Sequence, residues 1–250
     1  MSPADLLLLV CAGVGAGLAG SIAGLASLVS YPALLAVGLG PVAANVTNTV
    51  GLVFASAGSM LGSRTELRGQ GAHVRTLAVA AVLGGSLGAA LLLATPSGTF
   101  ERIAPWLIGG ASLTILLRPR VRTAAGAERT QHTSVAVVGG VFLVGIYGGY
   151  FGAAAGVVLL ALLISLTHDT LARSNALKNA VLGIANATAA LGFVVLAPVA
   201  WAAVAPLAVG LFAGGRLGPV VVRHANARVL RTLIGLAGLV LAVALGADAY

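Results

Sequence analysis

Asn175, Lys178, Asn179 and Asn186 stand at i, i+3, i+4 and i+11, a spacing that puts three amides and an ammonium on one face of a helix. The residues around them are apolar. Hydrocarbon makes unpaired amides and ammonium groups costly, so this face is expected to look into a protein interior. Near the N-terminus Asn45, Thr47, Asn48 and Thr49 occupy a comparable helix start, with Ser56 and Ser59 two to three turns on. Ser21, Ser27 and Ser30 lie near one glycine-rich stretch, and Tyr147 and Tyr150 near another. The set offers hydroxyl and amide donors, one cation and no acid, because Asp5, Glu66, Glu101, Glu128, Asp169 and Asp248 all fall at segment ends or in loops. A donor-rich, acid-free interior suits a small oxyanion, and helix N-termini would add backbone N–H groups and a positive dipole end. The candidate substrate-binding residues are therefore Ser27, Thr47, Asn48, Asn175, Lys178, Asn179, Asn186 and Tyr150.

Each of these has a structural alternative. Serine and threonine hydroxyls bond across helices or to their own backbone. Asn175 and Asn179 can act as glue between helices. Lys178 lies less than two turns from Arg173 and can snorkel to the surface. Tyr147 and Tyr150 can sit at a membrane interface.

The elements that would position these groups follow from composition. The chain is 59% hydrophobic and only 8% charged, with a mean hydropathy of +1.05, whereas soluble chains are about 25% charged. Apolar segments fall at about 5–38, 42–63, 75–95, 102–118, 134–166, 172–197, 199–222 and 229–247, the pattern of an all-α polytopic membrane protein. The net charge of +8 resides in loops between these segments, which a positive-inside bias explains without a nucleic-acid partner. Cys11 stands alone, so no intrachain disulfide forms. The N-terminus has no basic stretch before its apolar run, so a cleaved signal peptide is not expected. Thirty-five glycines suit closely packed membrane helices.

The chain repeats itself. Gly17, Gly20 and Gly24 match Gly145, Gly148 and Gly152 at an offset of 128, which also pairs Ala44 with Ala172 and Thr47 with Asn175. GGSLG at 84–88 matches GGRLG at 214–218, and Leu107-Ile108-Gly109 matches Leu233-Ile234-Gly235. Ordered matches at offsets of 126 to 130 indicate a duplication. It divides the chain into a first membrane repeat at 1–118, a basic cytoplasmic linker at 119–133 and a second repeat at 134–250.

Segments 5–38 and 134–166 are too long for one ordinary span of about 20 residues, and both are interrupted by glycine. If all eight segments crossed once, the basic residues would divide seven against seven. If the two long segments each enter and leave on the same side as a pair of half-helices, the division becomes thirteen against one, with Arg102 alone outside. The positive-inside rule favours the second arrangement, which makes two inverted repeats of about four helices, the first helix of each broken or re-entrant near Gly20–Gly24 and Gly148–Gly156. The alternative is a long, tilted, kinked helix with small residues for packing.

Several chemistries are missing. There is no GxxxxGK[ST] loop for an ATPase, no HExxH motif and no pair of intramembrane carboxylates. His73, His132, His168 and His224 are read as loop residues. No motif asks for a cofactor or a metal, and an intramembrane hydrolase would lack a base other than Lys178.

The chain resembles the sulfite exporter TauE/SafE family of bacterial membrane transporters over nearly its whole length. The resemblance rests on the glycine-rich starts of the halves (GLAGSIAGLASLVSYPALLAVGLGPVAANVTNT and GIYGGYFGAAAGVVLLALL), on ARSNALKNAVLGIANATAAL, and on the closing WAAVAPLAVGLFAGGRLGPVVVRHANARVLRTLIGLAGLVLA. SNALKN with the downstream Asn186 is its most specific part. At Leu25-Ala26-Ser27 the first half departs from the double glycine common in the family. The resemblance implies two related four-helix halves and a secondary carrier for sulfite, sulfonates or other organosulfur anions in the inner membrane. A homo-oligomer is compatible with this reading. An anion channel and a non-transporting membrane scaffold are the other functional classes the sequence leaves open.

Overall fold

The computed structural model of the chain describes residues 1–117, 134–167, 169–222, 236 and 239–247; the linker expected at 119–133 lies outside them. No strand occurs among the described residues. Among the described residues ten helices precede a helical stretch at 239–247: α1 (Pro3–Ala23), α2 (Ser27–Ala36), α3 (Pro41–Gly62), the single turn α4 (Arg64–Leu67), α5 (Gly71–Ala94), α6 (Ser97–Leu117), α7 (Val135–Tyr150), α8 (Ala155–Leu166), α9 (Leu171–Leu196) and α10 (Trp201–Val222). α5 begins four residues before the apolar segment that announced it, so His73 stands in a first helical turn rather than in a loop.

Local sequence sets several boundaries. Ser2 caps α1 through a reciprocal pair of bonds with Asp5, and Pro3 takes the first helical position. Pro41 does the same for α3. Ser134 and Thr170 accept first-turn N–H bonds at the starts of α7 and α9. Pro3–Ala23, Gly71–Ala94, Leu171–Leu196 and Trp201–Val220 are long and apolar enough to cross a membrane. The exterior of the bundle is correspondingly apolar, with Val79, Leu83, Leu87, Leu191 and Val195 exposed, while Asn45, Asn48, Lys178 and Asn179 are buried. This is the reverse of a water-soluble distribution and the one a bilayer requires.

Both long apolar segments are broken into hairpins. α1 ends at Gly24, in the left-handed region at φ 76°, and α2 turns back so that Val29 faces Gly15. α7 ends at Phe151, passes through Gly152 at φ 75°, and α8 turns back so that Leu162 faces Gly140. Glycine occupies φ near +75° without penalty, whereas an L side chain there costs about 1–2 kcal/mol. Ala154, at φ 58°, is the described non-glycine residue that carries this cost.

The two halves interlock. The GGxLG of α5 lies on α7, Gly84 against the Phe142 carbonyl and Gly88 against that of Ile146, while Gly85 meets the Ala185 carbonyl of α9. The GGxLG of α10 makes the exchanged contacts, Gly214 against the Val14 carbonyl of α1 and Gly215 against that of Ala55 in α3. Each hairpin therefore rests on a helix of the other half, with glycine letting backbones touch. α3 and α9 pack together at the centre and run antiparallel. Arg173 and Gln70 tie the start of α9 to the α4 turn, by Arg173 Nη1 to the Arg68 carbonyl at 3.3 Å and Gln70 Nε2 to the Arg173 carbonyl at 3.2 Å. At the other end the Ala200 N–H donates to Thr47 Oγ1 at 3.0 Å. Arg64, Arg68, Arg75, Arg173 and Arg216 thus gather at one end, and Arg102, near the start of α6, lies at the other.

The hairpin tips meet. A Cβ added at Gly156 would lie 2.5 Å from the Gly24 Cα, and one at Gly24 would collide with the Gly156 backbone. Gly24→Ala and Gly156→Ala are each expected to lower the apparent melting temperature in detergent, at a cost of about 1–3 kcal/mol. Gly40→Ala, with open space around the site, should leave the temperature unchanged. Equal melting of all three variants would mean that the tips are not in contact.

Candidate functional site

Breaking a helix inside a bundle exposes its last carbonyls and its first N–H groups. The chain treats the two kinds of end differently. The carbonyl ends are closed by side-chain donors. Asn175 Nδ2 donates to the Ser21 carbonyl at 2.9 Å, and Asn179 Nδ2 reaches the same oxygen at 3.5 Å. Lys178 Nζ donates to the Gly20 carbonyl at 3.0 Å, which also accepts from the Gly24 N–H. These α9 residues cap the end of α1, where a cation also opposes the negative dipole end. In the other half Asn45 Nδ2 donates to the Tyr150 carbonyl at 2.8 Å, and Tyr147 Oη donates to the Ala153 carbonyl at 2.6 Å.

The amide ends have no such cover. Neither α2 nor α8 carries a side-chain cap. Both begin at a cavity of about 50 Å³ whose wall includes Gly20, Ser21, Gly24, Ala26 and Ser27 from the first hairpin and Gly148, Gly152, Ala155 and Gly156 from the second. α3 adds Leu52, Ala55, Ser56 and Ser59, and α9 adds Asn179, Leu182 and Asn186. These stretches of α3 and α9 place the cavity between the middle of the bundle and its arginine-bearing end. Ser21 Oγ is buried without a hydrogen-bond partner. Among the described residues no carboxylate lines this cavity, which offers hydroxyls, amide groups and two helix starts. By volume it accommodates about three to five water molecules or a small ion of similar bulk.

The residues singled out from the sequence divide into three groups. Ser27, Asn179 and Asn186 line the cavity. Asn175 and Lys178 stand behind its wall as caps of α1, and Lys178 is 0% exposed rather than extended to the surface. Asn48, Thr47 and Tyr150 lie elsewhere. Asn48 donates to Ser27 Oγ at 3.2 Å and accepts from Ser30 Oγ at 2.5 Å, clamping α2 to α3. Thr47 holds the turn before α10. The Tyr150 ring packs against Phe100 with centroids 6.0 Å apart. Ser21, Ser56 and Ser59 line the cavity although they were not among the candidates. Ser56 stands 130 residues before Asn186, within the offsets of the repeat, and that correspondence was the signal that would have selected it.

The sulfite exporter TauE/SafE family model matches residues 9–245. The chain belongs to this family. It is a transmembrane transporter by that membership. It is 28% identical over 253 residues to a protein of Escherichia coli K12 named probable membrane transporter protein YfcA, covering all of this chain and 93% of that one. It is 25% identical over 234 residues to a probable membrane transporter protein of Haemophilus influenzae, with 92% and 90% covered. A Sinorhizobium protein, probable membrane transporter protein ORF9, is 26% identical over 243 residues, with 93% and 89% covered. No solved structure gives a significant match.

The division into caps and liners of this TauE/SafE transporter is open to measurement. Asn175→Leu removes the shorter bond to the Ser21 carbonyl and should cost about 1–3 kcal/mol of stability, read as a lower melting temperature. Asn186→Leu, at the cavity wall, should melt near the parent. The reverse order would show that the two groups have been exchanged.

Proposed function

We propose that the chain is a secondary carrier that exports a small sulfur-containing anion, such as sulfite or an organosulfonate, across the bacterial inner membrane. The observation that carries this is the asymmetry of the broken helices: their carbonyl ends are capped, while their amide ends open on a cavity with no acid. An uncapped helix start presents N–H groups and a partial positive charge, worth about 0.3–1 kcal/mol and up to about 2 when partly buried. Ser21, Ser27, Ser56, Asn179 and Asn186 then supply directed donors. Lys178 acts through the α1 end, its ammonium offsetting both the dipole and part of the charge of the guest.

The cavity volume favours a compact oxyanion over a bulky sulfonate. The family description, which names sulfite, points to the same chemistry. The gathering of arginines at one end supports a cytoplasmic position for that end. The exchanged glycine contacts and the antiparallel α3–α9 pair support two inverted repeats, 1–118 and 134–250, whose rocking would alternate access to a site near the midplane.

Proteoliposomes loaded with labelled sulfite test the reading. Efflux should saturate with concentration and exceed that of protein-free vesicles. Asn179→Leu and Ser27→Ala should each slow it, the former about tenfold, as expected for losing a hydrogen bond to a charged guest. Sulfite flux equal to that of empty vesicles, or unchanged in both variants, would discard the assignment, and a non-saturating current following voltage would identify a channel.

A further inference from the structure

A second cavity, of about 340 Å³, lies at the opposite end of the bundle between the end of α2, the start of α6 and Leu245. Leu39, Pro41 and Glu101 place it beside the turns that carry Arg102 rather than the arginine cluster. The two cavities lie along one face of α2. Ser27 lines the first cavity and Tyr31, one turn further along α2, lines the second. The second hairpin repeats this over two consecutive residues: Gly152 lines the first cavity, and Phe151 meets the Tyr31 ring edge to face at 5.4 Å. Phe100 backs Phe151 at 5.9 Å. All three rings are buried, and the Tyr31 hydroxyl has no hydrogen-bond partner.

We propose that the second cavity is the outer vestibule of the transport path, and that Tyr31, Phe151 and Phe100 form the barrier separating it from the anion-binding cavity. The inference rests on the carrier reading above and adds to it a second compartment and the residues that close it. The rings belong to three different elements, the two hairpins and α6, so a movement of one hairpin against the other parts them. The α2 and α8 helix starts lie on one side of the rings, and the vestibule, apolar apart from Glu101 and the Tyr31 hydroxyl, lies on the other, so an anion held at the helix starts meets hydrocarbon faces in the outward direction. The unpartnered Tyr31 hydroxyl gives the vestibule a donor that a passing anion can use once the rings separate.

The test reads chemical accessibility and does not require the cargo to be known. Cys11 is the chain's single cysteine and is replaced by alanine, after which Ser27→Cys or Glu101→Cys is introduced. Right-side-out and inside-out vesicles are treated with sulfonatoethyl methanethiosulfonate, a membrane-impermeant anionic reagent, and modification is followed by intact mass. Ser27→Cys should react from the cytoplasmic side and be protected from the outside, whereas Glu101→Cys should react from the outside. Adding Tyr31→Ala or Phe151→Ala should raise outside labelling of Ser27→Cys about tenfold, as expected for losing an aromatic contact and its packing. Tyr31→Leu and Phe151→Leu, closer in volume, give the same reading if the truncations do not reach the membrane. Outside labelling of Ser27→Cys that is unaffected by all four substitutions, or a Glu101→Cys that resists the reagent from outside, overturns the barrier. Absent sulfite efflux with the labelling pattern intact would instead remove the cargo and leave the barrier standing.

Discussion

An interrupted helix in a hydrocarbon environment leaves backbone carbonyls and N–H groups that lipid cannot satisfy, and the rest of this molecule is arranged around two such interruptions. They are placed tip to tip, Gly24 against Gly156, where the absence of side chains lets the backbones touch. Burying both breaks at one point means that a single pair of helices can serve them. α3 and α9, packed antiparallel at the centre, supply Asn45 to one carbonyl end and Asn175, Lys178 and Asn179 to the other. The polar character of those two helices is a consequence of this service. α3 spends Asn45, Thr47 and Asn48 on neighbouring elements, and although 22 residues long it falls outside the set apolar enough to count as a span.

The same constraint shapes the cavity at the two helix starts. Side-chain donors close carbonyls at the ends of α1 and α7. The helix starts of α2 and α8 lie at the cavity wall without side-chain caps, and serine and asparagine side chains complete that wall. No ionised acid has to be excluded, because the acids among the described residues, Asp5, Glu66, Glu101 and Asp169, stand near helix ends away from this cavity. The side chains first noticed as polar thus divide between capping helix ends and lining the cavity.

The glycine contacts connect this site to the remainder of the bundle. The GGxLG segments seat each hairpin on a helix of the other half, so the hairpins are not independent of the frame that surrounds them. Serines and asparagines line the cavity towards the arginine-bearing end, whereas the Tyr31, Phe151 and Phe100 rings cluster on the other side of it.

Much of this was legible in the sequence. Apolar runs with charges confined to their ends specify membrane helices, because segment length and hydropathy are local properties. The breaks were legible because two runs exceeded a single span and carried glycine, and the matched offsets put Gly24 and Gly152, both at φ near +75°, in corresponding places. Helical spacing in a hydrocarbon environment turns the stripe Asn175, Lys178, Asn179 and Asn186 inward, and all four lie inward. What spacing cannot tell is which partner each residue meets. Only tertiary packing sends Asn175 and Lys178 to the carbonyls of α1, turns Asn179 and Asn186 to the cavity, gives Asn48 to Ser27 and Ser30, and sets the Tyr150 ring on Phe100. Those assignments depend on contacts between residues more than a hundred positions apart, where a shift of one helical turn would exchange the roles, and no periodicity within a single helix records them.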